Sequence, residues 1–567
     1  MSNRTEVGVS KKSTLQVAAL VAGIKGAAAE AVTAGVAAGT TLDSATHAVA
    51  GGTDFMKHAL SGAGIEVPAT LQATMDEFGE KEVVKAILDS ANAYEKAHGI
   101  PIPADLMEQA IHNGYSQTQH ARNEFKLDSA HSTAHDPLSL QPNRAVLAYY
   151  TTVAEATPWA HYLPADIRSN QAKLAIVAHH AQNRAGAYGA GAMLDGIFAG
   201  QAFISSMRVH KAFPADADGK INFKITAFQS TFETCDQTAD GVPTLRGRGE
   251  LYINGELCGR EGSMNTSGTG PSAVNGAVTI DGVTYTIGGT YNPDTGVAAL
   301  TSDPKLPAAV PVYFEAPINF EAAPGLAAVL STGVTTYDLY AAPWRASTRV
   351  SPDARTQMAN ELGLDPLGEA MVSIQRQYVA ERHYRALALA RRAAARNTGE
   401  YDFEWENRSS DMLRSRLWTD FGAELGRRSQ QMVEDTMDHG ITHLYAGKDI
   451  CSQWMALPRE LFEPSGVEER PGIFRIGRLF GKYEAYYTPR LVNESAGSGE
   501  ILCVGRGTNA ARNPVVFGDA VAPTVKNMAM GEDQKEGMSF YARDFTVANP
   551  HKPSALGAAL ITVNNMR

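Results

Sequence analysis

Residues 365–397 read DPLGEAMVSIQRQYVAERHYRALALARRAAARN. This composition predicts one continuous helix of about thirty residues. Asp365 suits the N-cap, and Pro366 suits the first helical position, where its missing N–H has no intrahelical partner in any case. Glu369 lies near the positive end of the helix dipole, while Arg391, Arg392 and Arg396 lie near the negative end. Leu367, Ala370, Met371, Ile374 and Tyr378 make an apolar stripe at helical spacing. At 1.5 Å per residue such a rod spans about 45 Å, longer than a compact domain usually needs. It reads as a structural spine rather than a catalytic scaffold.

Outward from this helix, an extended aromatic segment (335–350) and a short polar lead-in precede it, and a strand-rich C-terminus follows. The chain of 567 residues has material for three or four domain-sized units. With 44% hydrophobic and 20% charged residues it can build a sizeable core. A formal net charge of −11 argues against a dedicated nucleic-acid binder, though local basic faces stay open. The four cysteines, Cys235, Cys258, Cys451 and Cys503, have no C-x-x-C spacing. They form neither a disulfide framework nor a zinc ribbon, so a reducing compartment is expected. Lys11 and Lys12 followed by 15–24 imitate a signal peptide, but Lys25 interrupts the dilute apolar run and no secretion is expected. Nowhere do 18 apolar residues run together, so no membrane span is expected.

Residues 1–64 are rich in Ala, Gly, Thr and Val, with few large side chains to build a core; they read as a flexible arm. Short helices are expected at 70–98 and 104–124, then a polar boundary at 131–143. Apolar helices at 145–156 and 171–185 alternate with Gly/Ala-rich loops such as 186–196. From about 220 to 320 the hydrophobic period becomes two. Asn254-Gly255 and Asp281-Gly282 each sit between short strands, the strongest short hairpin signal. A third turn at 292–296 completes a β-rich module over 220–320. Beyond the long helix, helices are expected at 410–421 and 422–439, and a strand then a helix at 443–457. Strands follow at 474–480, 482–487, 501–505, 515–517, 540–546 and 560–563. The class is α+β.

The chemistry-bearing motifs are weak. Gly477-Arg-Leu-Phe-Gly-Lys482 lacks Walker spacing, and Gly505-Arg-Gly507 reads as a tight turn. No G-x-S-x-G or H-E-x-x-H occurs. His131, His135 and Asp136 would present a metal set only on a helix that Pro137 breaks. His179 and His180, adjacent on an expected helix, should split between a buried and an exposed role. Glu404 and Glu406, flanking Trp405, would share a face in a strand, but the charged surroundings favour a surface. Arg376, Arg382, Arg385, Arg391, Arg392 and Arg396 make the second half of the long helix basic. That face meets phosphates or, more in keeping with the net charge, acidic neighbours and water. No catalytic, cofactor or metal-binding residue is assigned, and no enzyme is expected.

Taken in order, the motifs of 330–567 resemble T-even-type and related large-phage major capsid proteins. Trp344, Asn360-Glu-Leu-Gly-Leu-Asp365 and Glu369-Ala-Met-Val-Ser-Ile-Gln-Arg376 resemble that family's extended segment, loop and spine helix. Gly481-Lys-Tyr-Glu-Ala-Tyr-Tyr-Thr-Pro489, Ile501-Leu-Cys-Val-Gly-Arg-Gly507 and Ser539-Phe-Tyr-Ala-Arg-Asp-Phe545 resemble its C-terminal strands, and 555–563 its last strand. Arg543 stands where the family often has proline. Gly289-Thr-Tyr-Asn-Pro-Asp-Thr-Gly-Val297 through Val312-Tyr-Phe-Glu315 is similar to its insertion hairpin, whereas the first 140 residues match nothing in it.

The resemblance implies the Hong Kong 97 phage-type capsid fold, with a long spine helix at 365–397, an inserted β-rich module and a helical or flexible N-terminal arm. The implied division is 1–140 for the arm, 141–219 for a helix and extended-loop region, 220–320 for the module, and 321–567 for the peripheral and axial domains. It implies a major capsid protein assembling into hexamers and pentamers of an icosahedral virion shell, made in a bacterial host cytoplasm. Expected partners are further copies, a portal, scaffolding, maturation-protease or decoration proteins, and packaged DNA held without sequence preference. No membrane partner is expected. The arm would lace under neighbours or be removed at small-x-Glu sites such as Ala28-Ala-Glu30 and Gly64-Ile-Glu66. Two rivals stand beside this reading: a multi-domain hydrolase whose β-module binds a polymer, and a secreted adhesin carrying a β-sandwich.

Overall fold

In the computed structural model the expected rod is a single helix, Pro366–Ala394, 29 residues long and so about 43 Å. The structure describes residues 69–103, 106–115, 157–163, 170–214, 219–262, 268–363, 366–408, 413–528 and 534–566. The arm at 1–64 with both small-x-Glu sites, His131, His135, Asp136, the helix expected at 145–156 and the N-cap Asp365 lie outside the described residues. The chain divides into two compact units, one of Met1–Leu174 with Thr336–Arg567, the other of Ala175–Thr335.

In the first unit the apolar stripe of the long helix runs on past its expected end. Leu367, Met371 and Tyr378 are buried as expected, and Arg382, Ala386, Leu387, Ala390 and Ala394 continue the same face. The second half of that face packs on a mixed sheet. Its main order is Thr398–Asp402, Ala558–Asn564, Ser498–Gly505, Ile441–Ala446, Tyr483–Tyr487, Phe474–Leu479 and Phe462–Pro464. The first two strands pair in parallel, as do Ile441–Ala446 and Tyr483–Tyr487. Both faces are covered, so the central strands are apolar on both sides. Leu502 and Val504 face the long helix and the helix pair Ala69–Phe78 and Glu80–His98. Ile501 and Cys503 face the helices Arg414–Thr436 and Lys448–Met455, whose Trp418, Phe421 and Trp454 are fully buried.

The first half of the long helix lies on a separate three-stranded antiparallel sheet in the order Ala342–Val350, Glu536–Ala548, Val515–Met528. Several expectations change here. The helix expected at 70–98 is two, broken where Gly79 takes φ +89°. The two helices expected at 410–421 and 422–439 are one, Arg414–Thr436. Gly422 lies inside it without a break, and the Phe480 ring packs beside its Cα. The polar lead-in contains a further helix, Pro352–Leu362, capped by the Ser351 hydroxyl, which accepts from the Ala354 N–H. The short strand expected at 515–517 is Val515–Met528, carried past Pro523 by register shifts between Asp519 and Thr524.

The apolar helix expected at 171–185 is instead a strand, Gln171–Ala181. Leu174 and Ile176 are buried while Lys173, Ala175 and Val177 are exposed, a period of two that its many small residues conceal. It pairs with Leu330–Tyr340 in a two-stranded ribbon.

The second unit is built on an eight-stranded antiparallel sheet. Its order is Met207–Ala212, Val312–Pro317, Glu250–Ile253, Glu256–Glu261, Ser272–Ile280, Val283–Asn292, Val297–Asp303 and Lys220–Lys224. The first and last strands of that order lie close to one another, so the sheet curls around its own core. Ile221, Phe223, Leu251, Ile287, Tyr291 and Phe314 fill that core. Both hairpin signals form as expected. Asn254 and Gly255 take φ 53° and 82°, and Asp281 and Gly282 take 52° and 80°, the pattern of type I′ turns. At the entrance, Asn183 clasps the outgoing chain: its Nδ2 donates to the Ala327 carbonyl at 2.8 Å, and its Oδ1 accepts from the Val329 N–H at 2.8 Å.

Candidate functional site

Alternation along Glu536–Ala548 turns residues 540, 542, 544 and 546 toward the long helix. The first two of these are apolar. Phe540 and Ala542 form a cluster with Met371 and Tyr378, and the Trp344 ring meets Tyr378 edge-on at 5.0 Å. The last two, Asp544 and Thr546, are polar and buried. One turn along the helix from Tyr378, the stripe presents a residue that answers them: Arg382, fully buried.

The Arg382 guanidinium lies between two carboxylates. Its Nη2 is 2.9 Å from Asp519 Oδ1 and its Nε 3.0 Å from Asp544 Oδ2. Nε also donates to Thr546 Oγ1 at 3.1 Å, and Nη2 to the Gly518 carbonyl at 3.2 Å. Asn113 Nδ2 donates to the second oxygen of Asp519 at 2.9 Å. Burial alone would lower the Arg382 pKa, but Asp519 and Asp544 outweigh it and hold the guanidinium above its ordinary range. Burial pushes the Asp544 carboxyl up, although Arg382 opposes the shift. Chemically the arrangement can fix a helix to a pair of strands, and it does so through charge-assisted hydrogen bonds in a dry setting.

Of the six arginines weighed as a basic face, Arg382 is consumed by this bolt. Arg391 pairs with Glu500 at 2.7 Å and also donates to the Leu491 carbonyl, and Arg385 Nε donates to the Thr546 carbonyl at 3.1 Å. Arg376, Arg392 and Arg396 remain exposed. Neither Asp519 nor Asp544 stands out in the sequence. The available signal is Arg382 itself, four residues from both Tyr378 and Ala386 on an apolar stripe, where a lone cation needs a buried partner.

The other candidates disperse. His179 and His180 lie on a strand, not a helix, and both are half-buried, so the expected split does not occur. His179 Nδ1 instead lies 2.9 Å from Asp195 Oδ1. Glu404 and Glu406 do not share a strand face: Glu404 takes φ 46° at the head of the short helix Trp405–Arg408 and pairs with Arg408 at 3.2 Å. Between them, Trp405 lies under the Arg414 guanidinium at 4.3 Å. Gly477–Lys482 is a hairpin, with Phe480 and Gly481 at φ 52° and 64°. Gly507 sits in a turn, its N–H donating to Asn513 Oδ1 at 2.9 Å.

What the fold leaves open is extended backbone. In Leu330–Tyr340 nearly every residue is exposed, with Leu330 at 52%, Val334 at 60% and Tyr340 at 67%. The next strand, Ala342–Val350, is an edge of the three-stranded sheet and turns Pro343, Arg345, Ser347 and Arg349 outward. A two-stranded ribbon with apolar residues in water is marginal alone, and free edges recruit further strands or partners.

Neither a protein-family model nor a curated protein matches the chain. Among solved structures, one of Microbacterium phage Oxtober96 is similar at 14% identity and a TM-score of 0.29, covering 43% of this chain and 80% of that one. The capsid of Myoviridae phage XM1 is similar at 8% identity and a TM-score of 0.28, covering 42% and 78%. The holo-SrpI encapsulin complex from Synechococcus elongatus is similar at 10% identity and a TM-score of 0.26, covering 42% and 79%.

Proposed function

We propose that this chain is the major capsid protein of a tailed bacteriophage, a structural rather than catalytic protein that assembles as hexamers and pentamers into a shell around double-stranded DNA. The observation that carries the reading is the pairing of a rigid frame with unsatisfied extended edges. Arg382 fixes the long helix to the longest strands, while the adjoining stretch 330–350 is left solvent-facing and partly apolar. A shell subunit needs both: a shape that does not give, and strands that other copies cover through heterologous contacts that close into rings.

The family-like motifs also fall on coherent elements. Residues 369–376 lie in the first half of the helix, 539–545 on the strand beneath it, and 483–487 and 501–505 on neighbours of the central strand Ile441–Ala446. In this reading the exposed Arg376, Arg392 and Arg396 meet acidic groups of other copies or packaged DNA. Portal, scaffolding, maturation-protease and decoration proteins are the further partners.

Negative-stain microscopy and sedimentation of the purified full chain, over a range of salt and crowding, test the proposal. Hexamers, tubes or shells are expected, and a monomer under every condition overturns it. N-terminal sequencing of assembled particles then separates the two uses of the arm: a start at Met1 or Ser2 assigns lacing, and a start beyond Glu30 or Glu66 assigns removal.

A further inference from the structure

Three histidines from three different elements gather beneath one helix. His98 ends the helix Glu80–His98, His383 stands on the long helix, and His443 lies on the central strand Ile441–Ala446. Aromatic rings connect them. His98 packs against Tyr94 at 4.4 Å and Tyr486 at 6.2 Å, and His443 lies 5.9 Å from the same Tyr486. Tyr486 stacks on Tyr445 at 5.3 Å, and the Tyr445 hydroxyl is 3.2 Å from His383 Nε2. His98, His443, Tyr445 and Tyr486 are all buried.

The charges around this cluster are cationic. Arg470 and Arg475 act on His98, Arg470 on His383, and Arg506 and Arg475 on His443. The carboxylate on the same strand as Tyr486 is Glu484, and it is already held by Arg475 at 2.5 Å and Arg478 at 2.8 Å. Arg475 Nη1 also donates to the His98 carbonyl at 3.4 Å. Among the described residues no hydrogen-bond partner reaches His98 Nδ1 or the Tyr486 hydroxyl. Thr442 Oγ1 lies 2.8 Å from His443 Nδ1. A proton arriving on any of the three rings therefore meets arginines, tyrosines, other histidines and this hydroxyl, and, among the described residues, no free carboxylate.

We propose that these histidines form an acid-sensitive latch, which holds the helix Glu80–His98 on the sheet at neutral pH and lets it go on acidification. Protonation is tolerated in water but not in this site, because burial disfavours the charged form and the nearby arginines repel it. Burial first, then neighbouring cations, pushes His98 and His443 down to about 3 from the ordinary 6.5, and His383 is lowered by the same two causes. The docked state thus binds fewer protons than the released state. Docking is at full strength above the ordinary value of 6.5 and weakens as pH falls from there toward 3. Each histidine that must charge shifts the docked-to-released ratio by about tenfold per pH unit.

Hydrogen exchange on the full-length protein, corrected for the chemical exchange rate at each pH, reads the latch directly. Between pH 6.5 and 4, the amides of 80–98 should lose protection by at least about tenfold per unit, while those of 498–505 keep theirs. His98→Gln combined with His443→Gln should flatten that loss. Parallel loss in wild type and variant overturns the proposal. If the double variant does not fold, the wild-type profile alone decides: a slope of less than one proton for 80–98 across this range overturns it equally.

Discussion

Asp519 and Asp544 stand directly opposite each other on the two longest strands, a pairing of like charges that a sheet does not tolerate unaided. Arg382 from the long helix makes it stable, taking one carboxylate with Nη2 and the other with Nε. Strand register and helix position are therefore fixed by the same three side chains.

Arg382→Met should lower stability by about 3–5 kcal/mol, since it leaves two buried carboxylates without a cation. Adding Asp519→Asn and Asp544→Asn should recover a substantial part of that loss. Urea unfolding of the single and triple variants measures both. A single variant within about 0.5 kcal/mol of wild type would show that the bolt carries no stability.

Trp418 meets Phe403, Phe421 and Trp454 edge-on at 4.8, 5.2 and 5.7 Å, with no exposed surface. Trp418→Ala should cost about 3–5 kcal/mol through lost burial and the cavity left behind. Thermal unfolding read on this unit should show it, and Trp418→Phe should cost distinctly less.

Asp438 gives a second pH signature. Burial would raise its carboxyl, but hydrogen bonds from His439 and from the Thr508 N–H and hydroxyl outweigh that and bring it down to about 2. Its folded value lies below the unfolded one near 3.8, so its stabilisation is complete above 3.8 and is lost as pH falls toward 2. Solvent screening of this half-exposed group holds the amount to about 1 kcal/mol or less. Stability measured from pH 5 to 2 should fall less steeply in Asp438→Asn than in wild type.

Val334→Glu and Tyr340→Glu place charge on the exposed ribbon strand Leu330–Tyr340. Both side chains are more than half exposed, so unfolding should move by no more than about 0.5 kcal/mol. Assembly, followed by sedimentation, should be lost or strongly weakened if other copies cover this stretch. Particles formed as readily as by wild type would remove 330–340 from the contact surface.

Much of this architecture was legible because local chemistry decided it. The two turns at Asn254-Gly255 and Asp281-Gly282 demand positive φ, and little but a hairpin can follow. The long helix carries its own periodicity. Where tertiary contacts decided, the sequence was silent or misleading. Ala and His obscured the alternation of Gln171–Ala181, and Gly422 looked like the boundary between two helices where the chain forms one. Pro352–Leu362 escaped notice because it is exposed on nearly all sides and so carries no stripe. The bolt was half visible: Arg382 was read among the basic residues, but its partners lie 137 and 162 positions away, beyond any spacing rule.

The clasp at Asn183 has a consequence for the unit it closes. Residues 183 and 329 are 146 positions apart in the chain yet joined by a hydrogen bond, so the polypeptide leaves that unit where it entered. A segment with such neighbouring ends behaves as a cassette. It can be shortened to a tight turn, or exchanged for a foreign domain with closely spaced termini, without asking the rest of the chain to stretch.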